Sequence, residues 1–408
     1  MTRHLPLAGK VRQHIQDSRS QLIDFAAALI EIRSENPPGA AYEQCAERIV
    51  LELRRLGLRH EVVHPALAPA LDTAPSVLGH LGSGDRTLYF HGHYDVVPAH
   101  DTAQFRPYLR HGNLYGRGAS DMKGGIASMV FAVHALAACG FQPTGTLQLV
   151  LVPDEETAGP RGTAALVAAR ALRTNAIGML TAEPTGGVIW NANRGALSLR
   201  ITTHGTPAHV GLHFRGVNAF SEMLRLAGEL TTLGEEVARR ETRYHIRPAR
   251  ARRSILMLGG ELAGGTNFNV VPDRASFTVD RRLNPEEDLS TERQHIMDVI
   301  DRARTRGATV EVETIQEGLS SATPETTPLA TSLAASIQDV TGRTANFELC
   351  PGLLEIRYYA SLGVPALAYG PGLLTVSHGP REFVPVRRLL DCAHIYALTA
   401  IRLLSPTL

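Results

Sequence analysis

Short apolar runs that end abruptly at acidic or histidine residues constrain this chain more than any other feature. Runs at 76–81, 87–91, 146–152 and 177–181 are rich in Leu, Val, Ile, Thr and aromatic side chains, and a small-residue stretch of helical texture lies at 124–138. Near-continuous apolar runs of this length suit strands covered on both faces, and strands alternating with helices fold as an α/β domain with a largely parallel sheet. Upstream, the spacing of Leu22, Ile23, Phe25, Ala26, Leu29 and Ile30 predicts an amphipathic helix over 11–33, stopped by Asn36-Pro37-Pro38-Gly39. A second helix is predicted over 42–56, closed by Gly57.

The texture changes after Gly186. Residues 194–204 alternate apolar and polar side chains, which predicts a strand with one solvated face. A helix over 218–233, strands over 254–258 and 275–280, a helix over 289–304 and a strand over 309–314 complete an α+β unit of ferredoxin-like type. The segment 318–328 reads as a return linker, after which a helix at 329–340 and a strand-like 364–369 resume the first pattern. With 408 residues the chain exceeds what one core supports. We therefore expect a domain built from 1–188 and 317–408, interrupted by an inserted domain at 189–316.

Charge excludes two classes of partner. Lys and Arg total 41 against 40 Asp and Glu, which leaves no basic footprint for nucleic acid or an anionic membrane. Aromatic residues are 5% of the chain, too few to suggest a base-stacking surface. No run of 18 apolar residues is present, so no membrane span is expected. Cys45, Cys139, Cys350 and Cys392 lie far apart with no Cys-x-x-Cys pair, and MTRHLPLAGKVRQHIQDSRS carries no apolar run of a secretory signal. Buried, reduced thiols and a cytoplasmic location are expected.

The groups able to do chemistry sit on this frame in an ordered way. His93 and Asp95 close one predicted strand, Asp154, Glu155 and Glu156 follow another, and Glu183 follows a third. Asp121 lies in a glycine-rich loop opening a helix, and His378 in a loop near the C-terminus. Open α/β sheets place their ligand crevice at such strand ends. Each cluster alone is ordinary: His-x-Asp pairs, helix-start carboxylates and surface histidines are common. Together, two His and three carboxylates form an N/O donor set suited to zinc, with manganese or cobalt as substitutes. One carboxylate bridging two ions would leave each with three protein ligands and an open position, the pattern of a catalytic rather than a structural site.

The blocks HGHYDVVP, YGRGASDMKGG, PDEETAG, AEP, HGTPAHVG, NFNVVPD with DRR, and SHGPREFVP follow one another from about residue 90 to 385. In these the chain resembles the dinuclear zinc metallopeptidases of family 20, the group of aminoacylase, acetylornithine deacetylase, succinyl-diaminopimelate desuccinylase and glutamate carboxypeptidase. The resemblance implies a zinc-exopeptidase-like catalytic domain with a lid and dimerisation domain inserted into it. It implies His93, Asp121 and Glu183 on one metal and Asp121, Glu156 and His378 on the other, with two Zn2+ (or Co2+ or Mn2+) as cofactors. Asp95 would orient His93, while His91 and Asp154 would be structural. Glu155 would be the general base for a metal-bridged hydroxide attacking an amide carbonyl.

Also implied are His209 as an oxyanion donor reaching across a homodimer formed by the lid domain, and Asn269, Arg282, Arg357 and Gly372 as substrate contacts. Arg281, next to Arg282, is expected on the opposite, solvent side of its strand. The segment Pro351–Gly352–Leu353–Leu354–Glu355–Ile356–Arg357 keeps the arginine of a Gly-[ST]-x-Asp-x-Arg pattern but carries leucines that imply a more apolar pocket. A cis peptide at Asp121–Met122 is implied as well. The expected activity is removal of the acyl group from an N-acyl-L-amino acid. A dipeptidase or carboxypeptidase with the same metal site is the alternative, and a metal-binding homologue without catalysis is a third reading.

Overall fold

The apolar runs form a sheet whose centre is parallel. In the computed structural model, which describes residues 5–65 and 74–406, the strand Thr87–His93 lies between Thr146–Val152 and Ala176–Thr181, parallel to both. Ala366–Ala368 adds a further parallel strand beside Ala176–Thr181. The flanks are antiparallel: Ser76–Gly82 on Thr146–Val152, Arg59–Val63 on Ser76–Gly82, and Trp190 opposite Ala368. Every residue of Thr87–His93 and Thr146–Val152 is buried, because helices pack against these strands. Lys123–Ala138 and Val386–Leu404 are the helices that lie on both. Two glycines set one close approach. A Cβ on Gly124 would fall 2.4 Å from the carbonyl oxygen of Ala119, and one on Gly125 would fall 2.6 Å from that of Ala182. The helix start after Asp121 is thereby pressed against the strand end that leads to Glu183.

The chain divides into two compact units, Met1–Asn191 with Thr323–Phe347 and Tyr358–Leu408, and Ala192–Ala322 with Glu348–Arg357. Residues 1–4, 66–73 and 407–408, which the expected catalytic domain includes, lie outside the described residues. In the second unit four antiparallel strands run in the order Ile255–Gly264, Arg274–Leu283, Gly195–His204, Thr309–Gly318. Helices Ala219–Val237 and Leu289–Thr305 pack on that sheet over a core that includes Leu199, Ile201, Leu226, Phe277, Val279 and Ile296. This is the strand–helix–strand–strand–helix–strand unit expected from the sequence.

Two of three local expectations need correction. The single helix over 11–33 is two helices, Leu5–Asp17 and Arg19–Ile30, because Ser18 leaves helical torsions at φ −87°, ψ 8°. The strand Gly195–His204 has the solvated face expected of it: on its polar side Arg200 and His204 reach solvent beside the exposed Glu261, Glu311 and Glu313, and only Ser198 and Thr202 between them are buried. Flanking strands shield them, with Arg200 tied to Glu261 and Glu313 and Ser198 bonded to Asp280. Arg281, by contrast, does not face solvent. It shares strand parity with the buried Phe277 and Val279, and its guanidinium is enclosed by Glu287, Glu292 and Ser254 at 2.6–3.2 Å.

The peptide between Asp121 and Met122 is cis. Cys45, Cys350 and Cys392 are buried, Cys139 is half-buried, and none of the four is in a disulfide among the described residues. Among the described residues no helix is long and apolar enough to cross a membrane.

Candidate metal centre

The parallel register decides what meets at the sheet's end. His93 pairs with Val152, so Asp154, Glu155 and Glu156 begin beside it, and the backbone N–H of Tyr94 donates to Val152 O at 2.9 Å. On the other side His91 pairs with Thr181, which brings Glu183 level with His93. The loop before Lys123–Ala138 supplies Asp121, and the loop between Ala368 and Phe383 supplies His378. Five segments distant in sequence thus converge within the first unit.

Two triads result, and Asp121 belongs to both. The donor atoms of His93, Asp121 and Glu183 lie within 4.8 Å of one another, as do those of Asp121, Glu156 and His378. His93 Nε2 is 3.3 Å from Asp121 Oδ1 and 4.0 Å from Glu183 Oε1. His378 Nε2 is 3.4 Å from Asp121 Oδ2 and 3.2 Å from Glu156 Oε2. Direct charge-assisted N–H···O bonds are shorter, about 2.7–2.9 Å. Two ligands on one tetrahedral ion with bonds of about 2.0–2.1 Å stand about 3.3 Å apart. The spacing therefore fits donors arranged around a divalent cation at each triad better than it fits donors bonded to each other. Three carboxylates held together with two imidazoles are also chemically suited to such ions.

Electrostatics point the same way. Burial disfavours a charged His93 ring, yet hydrogen bonds to Asp121 and Asp95 raise its pKa well above the ordinary value. Hydrogen bonds to Asp121 and Glu156 raise His378 to about 10. Burial, with the charge of Asp121 adding to it, pushes Glu156 up to about 7. For Asp121 burial works upward, but the two histidines outweigh it and hold the carboxyl well below its usual range. Both imidazoles therefore favour their protonated form, and a cation has to displace those protons.

Supporting side chains fix the donors. His93 Nδ1 lies 3.1 Å from Asp95 O and 3.4 Å from Asp95 Oδ1. Asp95 Oδ2 in turn accepts from Asn36 Nδ2 at 2.9 Å and from the Glu156 N–H at 3.0 Å. Glu155 and Glu156 diverge as neighbours should: Glu155 Oε2 is 3.9 Å from His93 Nε2, whereas Glu156 reaches His378. His91 is buried against Tyr359 and Thr163, and Asp154 is clamped by Arg161, away from the donor cluster.

The expected substrate residues divide between the units. His209 and Asn269 are neighbours in the second unit, where the Val210 N–H donates to Asn269 O at 2.9 Å and the exposed His209 accepts at Nδ1 from Gly211. Arg282 closes on Asp280 through Nε and Nη2 at 2.6 and 2.9 Å. Arg357 is buried at the end of the second unit. Gly372, in the first unit, faces its own chain: a Cβ there would lie 2.2 Å from Ser120 O and 2.8 Å from Pro184 Cβ.

Four residues bearing on the site escaped the sequence reading. Asn36 holds Asp95, and the buried Lys123 donates to the carbonyls of Leu29 and Ile32 beside the loop. Arg117 and Glu382 form a buried ion pair between the loops of Asp121 and His378. Arg117, Lys123 and Glu382 lie inside the quoted blocks and Asn36 far upstream of them, and the partners of all four are remote in sequence.

Residues 89–402 match the sequence pattern of Peptidase family M20/M25/M40. The chain belongs to this family. Within it, a succinyl-diaminopimelate desuccinylase from Alkalilimnicola ehrlichii is 30% identical, aligned over 95% of this chain and 100% of its own length. The fold is shared with an M20 family metallo-carboxypeptidase from Sulfolobus solfataricus, at TM-score 0.74 and 18% identity over 94% of this chain and 98% of that one. It is shared too with a dinuclear metal-binding peptidase of the M20 family from Bacillus subtilis, at TM-score 0.69 and 16% identity over 96% and 100%. As an M20 protein the chain is a metal-dependent amidohydrolase, a hydrolase of amide or peptide bonds, in a family of dinuclear metal-binding peptidases.

Proposed function

We propose that this chain cleaves the amide bond of N-acyl-L-amino acids. His93, Asp121 and Glu183 would hold one Zn2+, and Asp121, Glu156 and His378 a second. The observation that carries this reading is the pair of triads meeting at one shared carboxylate. When bound, two such ions lower the pKa of water and polarise the acyl carbonyl.

The remaining steps fall to the chain's own side chains. Glu155, beside His93, takes the proton of the attacking water and returns it to the leaving amine. Asp95 holds the His93 ring in place through Nδ1. His209 would donate to the developing oxyanion from a partner protomer. Asn269, Arg282 and Arg357 would receive the amino-acid carboxylate, Arg282 through Nη1, since Asp280 occupies Nε and Nη2. Gly372 would let backbone pass close behind the bridging loop.

In this reading residues 1–188 and 317–408 carry the metals, and 189–316 serve as lid and dimerisation domain. Support for a homodimer comes from the second unit, where the sheet-edge strand Ile255–Gly264 exposes Ile255, Met257 and Leu262 and helix Ala219–Val237 exposes Phe220 and Leu224. Four cysteines outside any disulfide support a reducing, cytoplasmic compartment.

The substrate class is supported by the relatives named as desuccinylases at 27–32% identity. It is tested by turnover of zinc- or cobalt-loaded protein on N-acetyl- and N-succinyl-L-amino acids against a dipeptide panel. We expect kcat/KM at least about tenfold higher for the acylated amino acids, a margin of about 1.4 kcal/mol in transition-state binding. Cleavage confined to dipeptides would move the assignment to a dipeptidase with the same centre.

A further inference from the structure

Two buried charged side chains that the mechanism leaves unused connect the loops of Asp121 and His378. Glu382 is 2% and Arg117 1% exposed, and Arg117 Nη1 donates to Glu382 Oε2 at 2.7 Å. The other carboxylate oxygen, Oε1, accepts the backbone N–H groups of Ser120 at 2.9 Å and of Asp121 at 3.0 Å. The other guanidinium nitrogen, Nη2, donates to the carbonyls of His378 and Pro98, both at 3.3 Å. One ion pair therefore ends on the N–H of one donor residue and on the C=O of another.

His378 needs such a hold. Its φ is 63°, a left-handed conformation that a non-glycine residue keeps only when its surroundings impose it. Its side chain is half exposed, so packing does little to fix the ring. Its carbonyl is met by Arg117 and, at 3.0 Å, by the ring of His100. His93 and Glu183 are placed differently, at the ends of strands in a buried parallel sheet, and owe their positions to the register. The two triads thus differ in what supports them: one rests on the sheet, the other on two loops joined by Arg117 and Glu382.

We propose that Arg117 and Glu382 are positioning residues that set the separation between the Asp121 carboxylate and the His378 ring, and through it the affinity of the Asp121–Glu156–His378 triad for its cation. The inference rests on the two-cation reading of the site. Removing a group that orients metal ligands typically weakens binding about 10–100-fold. Here the loss falls on the second ion taken up, while the sheet-supported triad keeps the first.

Calorimetric titration of metal-free protein with Zn2+ tests this, using the wild type, Glu382→Ala, Glu382→Gln and Arg117→Lys, with thermal melts as a check on folding. Cobalt titration followed in the visible range reports the coordination of each equivalent. The wild type should take up two ions. Glu382→Ala should bind the first within a few-fold of the wild type and the second about 10–100-fold more weakly, with altered cobalt bands for that equivalent alone. Glu382→Gln keeps an acceptor for the two N–H groups and should lose less than Glu382→Ala; Arg117→Lys should also lose the second ion preferentially. Equal weakening of both ions, or an unchanged second ion in every folded variant, overturns the proposal while leaving the metal centre intact. A wild type that takes up fewer than two ions instead overturns the reading of the site, and this inference with it.

Discussion

Glu155→Gln is expected to lower kcat by about 100- to 10,000-fold, the usual worth of a positioned general base, while both metal ions remain bound. The amide matches the carboxylate in shape but cannot accept the proton of the attacking water. Glu155 belongs to neither triad, although its Oε2 comes within 3.9 Å of His93 Nε2. The substitution therefore separates chemistry from metal binding in a way that a change at any of the five donors does not. Steady-state kinetics together with metal content decide the matter, and near-normal kcat in a fully loaded variant would remove Glu155 from the role of base.

Asp121→Ala should have the other large effect, of a different kind. Its two oxygens are divided between His93 and His378, so one truncation takes a donor from both triads and leaves two groups in each. Metal affinity should fall at both positions by more than the roughly 10–100-fold typical of losing a supporting residue, and turnover should vanish with it. Elemental analysis after dialysis, read beside activity with added metal, measures the loss. Retention of two tightly bound ions by the variant would show that Asp121 does not bridge.

Much of this centre was legible in the sequence because strand ends announce themselves. The run 146–152 stops at Asp154-Glu155-Glu156, and the run 87–91 at His93, so the sequence alone places these groups at strand ends. What periodicity conveys is parity, not direction. It separated Arg281 from Arg282 correctly onto opposite faces, yet assigned the solvent face to the wrong one. Phe277 and Val279, four and two residues earlier on the same face, carried the missing signal.

Alternation served the strand Gly195–His204 better. Its polar side reaches solvent through Arg200 and His204, paired with the exposed Glu313 and Glu311, while Ser198 and Thr202 are covered by the flanking strands. Beyond Asp95, the support beneath the donors was not legible. Arg117 and Glu382 are 265 residues apart, and Asn36 lies 59 residues from Asp95. Hydrogen bonds across such separations leave no periodic trace in a single sequence.

Anomalous diffraction at the zinc edge, from crystals of the zinc-loaded protein, addresses the shared-aspartate centre most directly. Two peaks about 3.5–4 Å apart are predicted, one enclosed by His93, Asp121 and Glu183 and the other by Asp121, Glu156 and His378. A single peak, or two that do not both touch Asp121, would contradict it.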